Sequence, residues 1–376
     1  MAWKIPTYKN VLIPAGCRRI LANDIFVPPP KETGMPHTVI ITSDYDHLSE
    51  VAAEFIEGHI ARTLAERPHS VLGLATGSSP VGVYKHLAKA VNHQRIDAAR
   101  IRTFNLDEYI GLPGAHAQAR ALHPESYSFF MIQELFGLMR TRFAESHLPA
   151  GCLIDPRRLA EELVAHPGDW QEQGTDKGRA IVIRSNAASE YLRWIRAEIL
   201  DGYEQQIRDA GGIDLHVIGV GGRGHVAFHE AGIPFEGNRM LLVRLDDNTV
   251  ENAVTDGHFS TREESPRHAI SMGAELVYAA RCVVLVASGA RKSEPVAASL
   301  LEEPSASIPI SYGQHQVRRG GELVYVIDRE AARDVLARRA DIEARGITIE
   351  DLSGGAAARR VDELAFHWDP ATGRLG

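Results

Sequence analysis

The stretch VLGLATGSSPVGVYKHL, residues 71–87, indicates the fold of this chain. An apolar run stops at Thr76-Gly77-Ser78-Ser79-Pro80, and an amphipathic segment follows with the proline in its first turn, where helices favour proline. The pattern predicts a buried strand, a tight turn and a helix. Hydroxyls and backbone N–H groups at a helix N-terminus suit a phosphate, although a plain helix start also explains the segment taken alone.

Similar strand and helix patterns continue on both sides of this stretch. Apolar runs predict strands at 37–43, 101–105, 214–220, 240–245, 282–287 and 322–327, and periodic segments predict helices at 47–65, 125–139, 187–209, 290–301 and 329–340. This alternation is typical of a mostly parallel, doubly wound (Rossmann-like) α/β sheet with helices on both faces. Ligands of such sheets bind beyond the carboxyl ends of the strands.

Composition excludes several classes of protein. The chain has 376 residues and a net charge of −8, so nucleic acid is a poor partner. It has neither an apolar run long enough for a membrane span nor an N-terminal apolar segment typical of secretion. Its three cysteines, Cys17, Cys152 and Cys282, lie far apart, and a buried inert thiol is the plain interpretation of Cys282. We therefore expect a cytoplasmic protein that contacts neither nucleic acid nor membrane.

Two adjacent acids stand out in TFNLDEYIGLP, residues 103–113. Asp107 and Glu108 are expected just past a strand end, with their side chains pointing in different directions. One of them can then reach the cleft as a general base, and we expect it to be Asp107. A solvated acidic turn is the alternative that this segment alone leaves open.

Glycines and histidines follow the next buried strand in DLHVIGVGGRGHVAFHEAG, residues 214–232. We expect a helix start here, with His225, His229 and Glu230 within one and a half turns. An imidazole with a carboxylate partner is a credible acid–base pair, and a solvated helix start is the alternative. The i, i+4 histidines have zinc-ligand spacing, but no third ligand is visible, so we expect no metal. The glycine pattern is weak evidence for a dinucleotide.

A fourth segment, VLVASGARKSEP at residues 284–295, places Arg291 and Lys292 at a helix start. Cations there oppose the helix dipole, so they are better suited to a bound anion. A solvent-facing pair is the alternative.

Taken together and in order, these four segments resemble the glucosamine-6-phosphate deaminase/isomerase family. The most specific matches are LATGSSPVGVYKHL, TFNLDEYIGLP followed by HPESY, GVGxxGHxAFxE and SGARK, and the resemblance covers roughly residues 40–330. It implies a fold shared with 6-phosphogluconolactonases. It also implies conversion of an amino-sugar 6-phosphate and water to a ketose 6-phosphate and ammonia, with no cofactor.

The resemblance also implies roles for individual residues. Asp107 corresponds to the base that moves a proton between C2 and C1. His225 corresponds to the residue that assists ring opening, with Glu230 as its partner. The phosphate is expected at Thr76, Gly77, Ser78, Ser79 and Lys292.

This chain departs from the family pattern at its anion clamp and beside the histidine. Arg223 stands where the family has an acid, and a cation opposes charging of His225. We expect Arg223 either to turn to solvent or, as we favour, to meet an anionic group on a different substrate. The phosphate-binding arginine has no counterpart near Val254, so Arg262 or Arg267 is expected to substitute. The family's Ser-x-x-Gln-x-His segment survives only in part, at residues 311–315.

Domain organisation and rival functions complete the expectations. We expect an extension at 1–36, an α/β domain at 37–330 and a C-terminal helix and tail at 331–376, with insertions at 114–122 and 150–190. The partner is a small amino-sugar phosphate, and homo-oligomers are left open. The rival functions are a sugar-phosphate isomerase or lactonase of altered specificity and a non-catalytic sugar-phosphate sensor.

Overall fold

The computed structural model describes residues 37–175, 178–255 and 259–355, with 358–364, 366, 368–369 and 374–375. The expected extension at 1–36, with Cys17, lies outside these residues. The strands, in chain order, are β1 His37–Thr42, β2 Ser70–Leu74, β3 Ile101–Asn105, β4 Asp107–Ile110, β5 Glu145–His147, β6 Trp170–Thr175, β7 Gly178–Ile183, β8 Leu215–Ile218, β9 Met240–Arg244, β10 His268–Met272, β11 Cys282–Ala287, β12 Glu322–Asp328, β13 Thr348–Asp351, β14 Trp368–Asp369 and β15 Arg374–Leu375.

Helices connect most of these strands. They are α1 Tyr45–Glu66, α2 Val81–Asn92, α3 Ala117–Ala121, α4 Tyr127–Glu134, α5 Pro156–Ala165, α6 Glu190–Trp194, α7 Gly202–Asp209, α8 Asp247–Thr255, α9 Ala274–Val277, α10 Ser293–Leu301, α11 Gly313–Arg318, α12 Arg333–Ala337 and α13 Arg339–Glu343. A π-helical segment, Ile195–Asp201, joins α6 to α7, so residues 190–209 form one continuous helical rod. In the described residues, no helix is both long and apolar enough to cross a membrane.

The main sheet has eight strands in the order β13-β1-β12-β11-β8-β2-β3-β5, all of them parallel. Alternate residues of each central strand belong to two separate cores, as Val283 and Leu285 do on one face and Val284 and Val286 on the other. Both faces are therefore covered, as the apolar strand sequences require. The predicted α/β fold is confirmed.

A second, antiparallel sheet was not expected from the sequence. Its order is β4-β10-β9-β7-β6. The predicted strand at 240–245 belongs to this sheet as β9, and Asp107 and Glu108, which were expected just past a strand end, begin strand β4. The rod 190–209 covers one face of the sheet through residues such as Leu192 and Ile195. Leu106 joins the sheets, because its amide donates to the Leu74 carbonyl and its own carbonyl accepts from Met272.

Two local predictions are corrected. The helix expected around residues 225–230 is a loop, since Gly224, Ala227 and Gly232 have φ values of +78°, +50° and +96°, which an α-helix does not allow. The helix expected at 329–340 is instead the two short helices α12 and α13. The division at residue 330 stays a prediction, although β13, from the expected tail, pairs with β1 at the edge of the main sheet.

Candidate active site

Three of the four sequence motifs meet at the carboxyl ends of adjacent strands. Strands β11, β8 and β2 are neighbours, and they lead into the segments 288–292, 219–232 and 75–80. The strand order reverses between β2 and β8, because later strands are added on one side of β2 up to β5 and on the other side from β8 onward. Doubly wound folds bind their ligands at this switch point. Strand β3 lies next to β2 and delivers the fourth motif to the same edge.

The turn at residues 76–79 presents unengaged hydrogen-bond donors. Among the described residues, neither the backbone N–H groups nor the hydroxyls of this turn have a hydrogen-bond partner. Gly77 has φ +96°, which favours glycine, and open space where a side chain would project. Tyr45 fixes the turn from α1, because its hydroxyl donates to the Ser78 carbonyl at 3.0 Å and accepts from the Gly82 amide at 2.8 Å. An anion fits this turn.

Lys292 approaches the same edge from β11. It ends a short 3₁₀ turn, Ala290–Lys292, and is half-buried without an ion pair to any described residue. Burial, and then the neighbouring Arg291, lower the pKa of its ammonium group. Asp328, at the end of β12, holds the preceding loop by accepting from the Ser288 hydroxyl at 2.5 Å and the Gly289 amide at 3.1 Å. A bound anion would compensate the desolvated ammonium group.

The two adjacent acids have different environments. Glu108 accepts from the amides of Tyr109, Tyr127 and Ser128 and from the Ser128 hydroxyl, at 2.9–3.0 Å, and so holds the start of α4. Asp107 is 5% exposed, and its carboxylate has no hydrogen-bond partner among the described residues. Burial, and secondarily Glu108, raise the pKa of Asp107 well above its usual range. Asp107 thus has the chemistry of a proton acceptor.

His225 and Glu230 form a pair in the loop after β8. Nδ1 of His225 lies 3.0 Å from Oε2 of Glu230, which is 1% exposed, whereas the imidazole is 29% exposed. This contact leaves Nε2 for a substrate. Two glycines make room: a Cβ at Gly221 would lie 2.0 Å from Nε2 of His225, and one at Gly178 would lie 2.0 Å from Cβ of Glu230.

Arg223 points to carboxylates of the protein. Its guanidinium donates to Asp246, after strand β9, at 2.8 Å and lies 3.5 Å from Oε2 of Glu230. The favoured expectation placed it on an anionic group of the substrate, and the alternative turned it to solvent. The structure instead supplies the anion itself, because Asp246 offsets the charge that Arg223 brings beside His225.

The other basic and imidazole candidates are engaged elsewhere. His229 is buried, with Nε2 against the Ile233 carbonyl and Nδ1 accepting from the Ala274 amide, both at 3.0 Å. Both nitrogens are occupied, so the zinc-ligand spacing with His225 has no structural counterpart. Arg262 and Arg267 both pair with Asp247, at 2.7 and 3.5 Å, and their side chains are a little less than half exposed. Among the described residues, neither arginine forms an ion pair or hydrogen bond with the turn at 76–79.

Sequence reasoning missed four residues that organise this site: Tyr45, Asp246, Asp328 and Ser271, whose hydroxyl accepts from the Phe228 amide. Asp246 and Asp328 follow apolar strands directly, which is a signal that the sequence offered. Tyr45 and Ser271 act through the tertiary fold, and their neighbouring sequence gives no comparable signal.

Comparisons with known proteins agree with this fold. The family model for glucosamine-6-phosphate isomerases/6-phosphogluconolactonase matches residues 170–324. The 6-phosphogluconolactonase from Trypanosoma brucei, at 16% identity, covers 80% of this chain and 98% of its own with a TM-score of 0.53, which shows the shared fold alone. The class is therefore that of α/β proteins built like these sugar-phosphate enzymes.

Closer relatives narrow the class. Glucosamine-6-phosphate deaminases of Thermoanaerobacter sp. (strain X514) and Clostridium botulinum (strain Loch Maree / Type A3) are 32% and 31% identical over 294 residues, which are 78% of this chain and 93% and 97% of theirs. The structure of a monomeric glucosamine-6-phosphate deaminase, at 27% identity, covers 79% of this chain and 99% of its own with a TM-score of 0.57. The chain belongs to the glucosamine-6-phosphate deaminase/isomerase family, which confirms the resemblance.

Proposed function

We propose that this protein converts an amino-sugar 6-phosphate and water to a ketose 6-phosphate and ammonia, with glucosamine 6-phosphate as the first substrate to test. The observation that carries the proposal is Asp107, a buried carboxylate without a partner among the described residues, on the same sheet edge as the His225–Glu230 pair. The names of the relatives support the same reaction.

Phosphate binding is the first step in this proposal. The turn at Thr76–Ser79 supplies amides and hydroxyls, and Lys292 supplies a charge from β11. Because the phosphate is at the far end of the sugar from the reacting carbons, it acts as an anchor that orients them.

Ring opening requires a proton transfer between the ring oxygen and the anomeric hydroxyl. Nε2 of His225 is the group that exchanges this proton, while Glu230 holds Nδ1 and stabilises the charged imidazole. The Arg223–Asp246 pair carries no net charge. Glu230 can therefore hold His225, which is the role that the resemblance gives to the acid found in place of Arg223 in other family members.

Isomerisation and loss of ammonia follow in the open chain. Asp107 removes the proton from C2 while the C1 oxygen takes up a proton, which gives an enolamine. Asp107 then returns its proton to C1 while the amino nitrogen loses one, which gives the imine of the ketose. Water adds to C2 of the imine, the C–N bond breaks and ammonia leaves. One water is consumed for each ammonia released, and no redox partner is required.

A substrate panel tests this reaction and separates its rivals. Purified protein is given the 6-phosphates of glucosamine, galactosamine, mannosamine and glucose, together with 6-phosphogluconolactone. Ammonia and ketose phosphate released in equal amounts from an amino sugar support the proposal. Ketose phosphate without ammonia would establish an isomerase, lactone hydrolysis a lactonase, and saturable binding without any product a sensor.

We also infer a cytoplasmic location. Cys152 and Cys282, the cysteines that the structure describes, are both free thiols, which suits a reducing compartment. Fractionation with compartment markers checks the location. Homo-oligomer formation stays a prediction, to be measured by light scattering.

A further inference from the structure

A second cluster of reactive side chains lies at the amino ends of the main-sheet strands, opposite the candidate active site. His59, Cys282 and Glu322 each offer one atom, and these atoms all lie within 4.8 Å of one another. Cys282 and Glu322 are the first residues of β11 and β12 and are register partners. Helix α1 starts after the carboxyl end of β1 and runs back along the sheet, so His59, in its last third, reaches the amino ends of the strands.

We propose that His59, Cys282 and Glu322 bind one divalent ion of the zinc type, independently of the proposed reaction. A thiolate, an imidazole and a carboxylate form a donor set that suits Zn²⁺, with water completing a tetrahedron. The three ligands come from three separate elements. A bound ion would therefore connect α1 to β11 and β12 at the amino ends of the strands, where the proposed reaction does not take place.

The geometry needs a modest adjustment. Zinc–sulfur and zinc–nitrogen bonds of about 2.3 and 2.0 Å put tetrahedral ligand atoms roughly 3.5 Å apart. Cys282 is fixed in a central strand, whereas His59 and Glu322 are partly exposed and can rotate toward it. The Thr63 hydroxyl oxygen lies 3.4 Å from Nδ1 of His59 and can accept a hydrogen bond from Nδ1–H when Nε2 binds the ion.

The charges around the cluster define what binding must do. Burial lowers the pKa of His59 to about 4, so the imidazole is neutral at pH 7 and available as a ligand. Burial, and secondarily Glu322, raise the pKa of the Cys282 thiol, so the ion must displace its proton. Arg62 and the Arg67–Asp214–Arg281 cluster add positive charge nearby. The thiolate and the carboxylate neutralise the divalent ion itself, and binding releases one proton for each ion.

Cobalt(II) alone is the probe for a direct test with the full chain. One equivalent of Co²⁺ should produce the sulfur-to-cobalt charge-transfer absorption, together with release of one proton, and Zn²⁺ should abolish the band. Cys282→Ser should remove the band and Glu322→Gln should weaken binding at least tenfold. Cys152→Ser, which changes the other described free cysteine, should leave the spectrum unchanged.

Several outcomes would overturn the metal site. They are no charge-transfer band in the wild type at millimolar Co²⁺, a band that persists in Cys282→Ser, or a band lost in Cys152→Ser. Circular dichroism of each variant identifies a folding defect, and Glu322→Gln, at a partly exposed position, provides a folded variant if Cys282→Ser does not fold. Deaminase assays play no part in the readout, so failure of one proposal leaves the other intact.

Discussion

The hydroxyl of Ser271 accepts the hydrogen bond donated by the Phe228 amide, at 3.0 Å. Ser271 is also the register partner of Asp107 where β4 pairs with β10, and Phe228 follows His225 by only three residues. The proposed base and the proposed ring-opening histidine are thus attached to one antiparallel strand. Their relative position depends on β10, which neither motif contains.

Asp107→Asn should lower kcat by about 10²–10⁴-fold, because it removes a proton acceptor with little change in shape. The same change should raise the melting temperature by a few degrees at pH 7. A carboxyl whose folded pKa is raised destabilises the fold increasingly as pH rises from about 3.9, the unfolded value, through the folded pKa. The gain should therefore vanish at low pH.

Glu108→Gln is the matched control for Asp107→Asn. The Glu108 carboxylate accepts hydrogen bonds from three backbone amides and a hydroxyl, so Glu108→Gln should destabilise the start of α4. Steady-state kinetics and thermal melts of both variants measure the loss of kcat expected for Asp107→Asn and the loss of stability expected for Glu108→Gln. Wild-type activity in Asp107→Asn would contradict its role as the base.

The pH profile of kcat/KM should carry the signature of Asp107. Only the ionised carboxylate accepts a proton, and its pKa is raised, so the acid limb should lie well above the usual aspartate value of about 3.9. Measurements on glucosamine 6-phosphate between pH 4 and 9 locate this limb. An acid limb at the ordinary value would mean that Asp107 is not the group being titrated.

Lys292→Ala should raise KM by roughly tenfold or more and change kcat less, because the phosphate is bound in both ground state and transition state. Arg291→Ala is the control, since Arg291 is the exposed neighbour on the same turn. Inhibition by inorganic phosphate should weaken in parallel with the change in KM. A large fall in kcat with KM unchanged would place Lys292 at the reacting carbons instead.

Gly221→Ala should lower kcat by about tenfold or more without altering any proposed catalytic group. The new Cβ would lie 2.0 Å from Nε2 of His225, so the imidazole must turn away from its position beside Glu230. Gly222→Ala is the control, because nothing lies within 4 Å of a Cβ there and its φ is not positive. Equal kinetics in the two variants would show that activity does not depend on the position of the His225 imidazole.

Arg223→Asp should lower activity on glucosamine 6-phosphate, because it would leave three acids, at 223, 230 and 246, without their cation. Asp246→Asn should lower activity as well, since Arg223 would then compete with His225 for Glu230. The exchange Arg223→Asp with Asp246→Arg should recover part of the loss, and kinetics of the three variants measure the coupling. Higher activity in Arg223→Asp alone would instead favour a native substrate with an extra anionic group.

The main sheet was predictable because its signals are local. Strands covered on both faces are continuous apolar runs, as in CVVLVA at 282–287, and each motif directly follows one of them. The family pattern then pointed to Asp107 and not Glu108 as the base, and the two acids differ in the structure: Glu108 accepts four hydrogen bonds, whereas the Asp107 carboxylate has no partner among the described residues.

The second sheet and the loop after β8 were less accessible, for a physical reason. Strand β4 has only four residues and is stabilised by pairing with β10, which is more than 150 residues later. The histidine loop has helical spacing but contains residues with positive φ, including Ala227, which no local pattern identifies. The pairing of Arg223 with Asp246 was not anticipated from the sequence, because Asp246 follows β9 whereas Arg223 follows β8.

The hydrogen bonds of Leu106 have a consequence for how this fold can diversify. Leu106 is the junction at which the chain leaves the parallel sheet, which carries the phosphate turn and Lys292, for the antiparallel sheet, which carries Asp107. In the proposed reaction, the phosphate would therefore be bound by one sheet, whereas the base that acts on C2 and C1 belongs to the other. If the proposed sites are correct, residues of the antiparallel sheet can change, and with them the reaction, without altering the phosphate site on the parallel sheet.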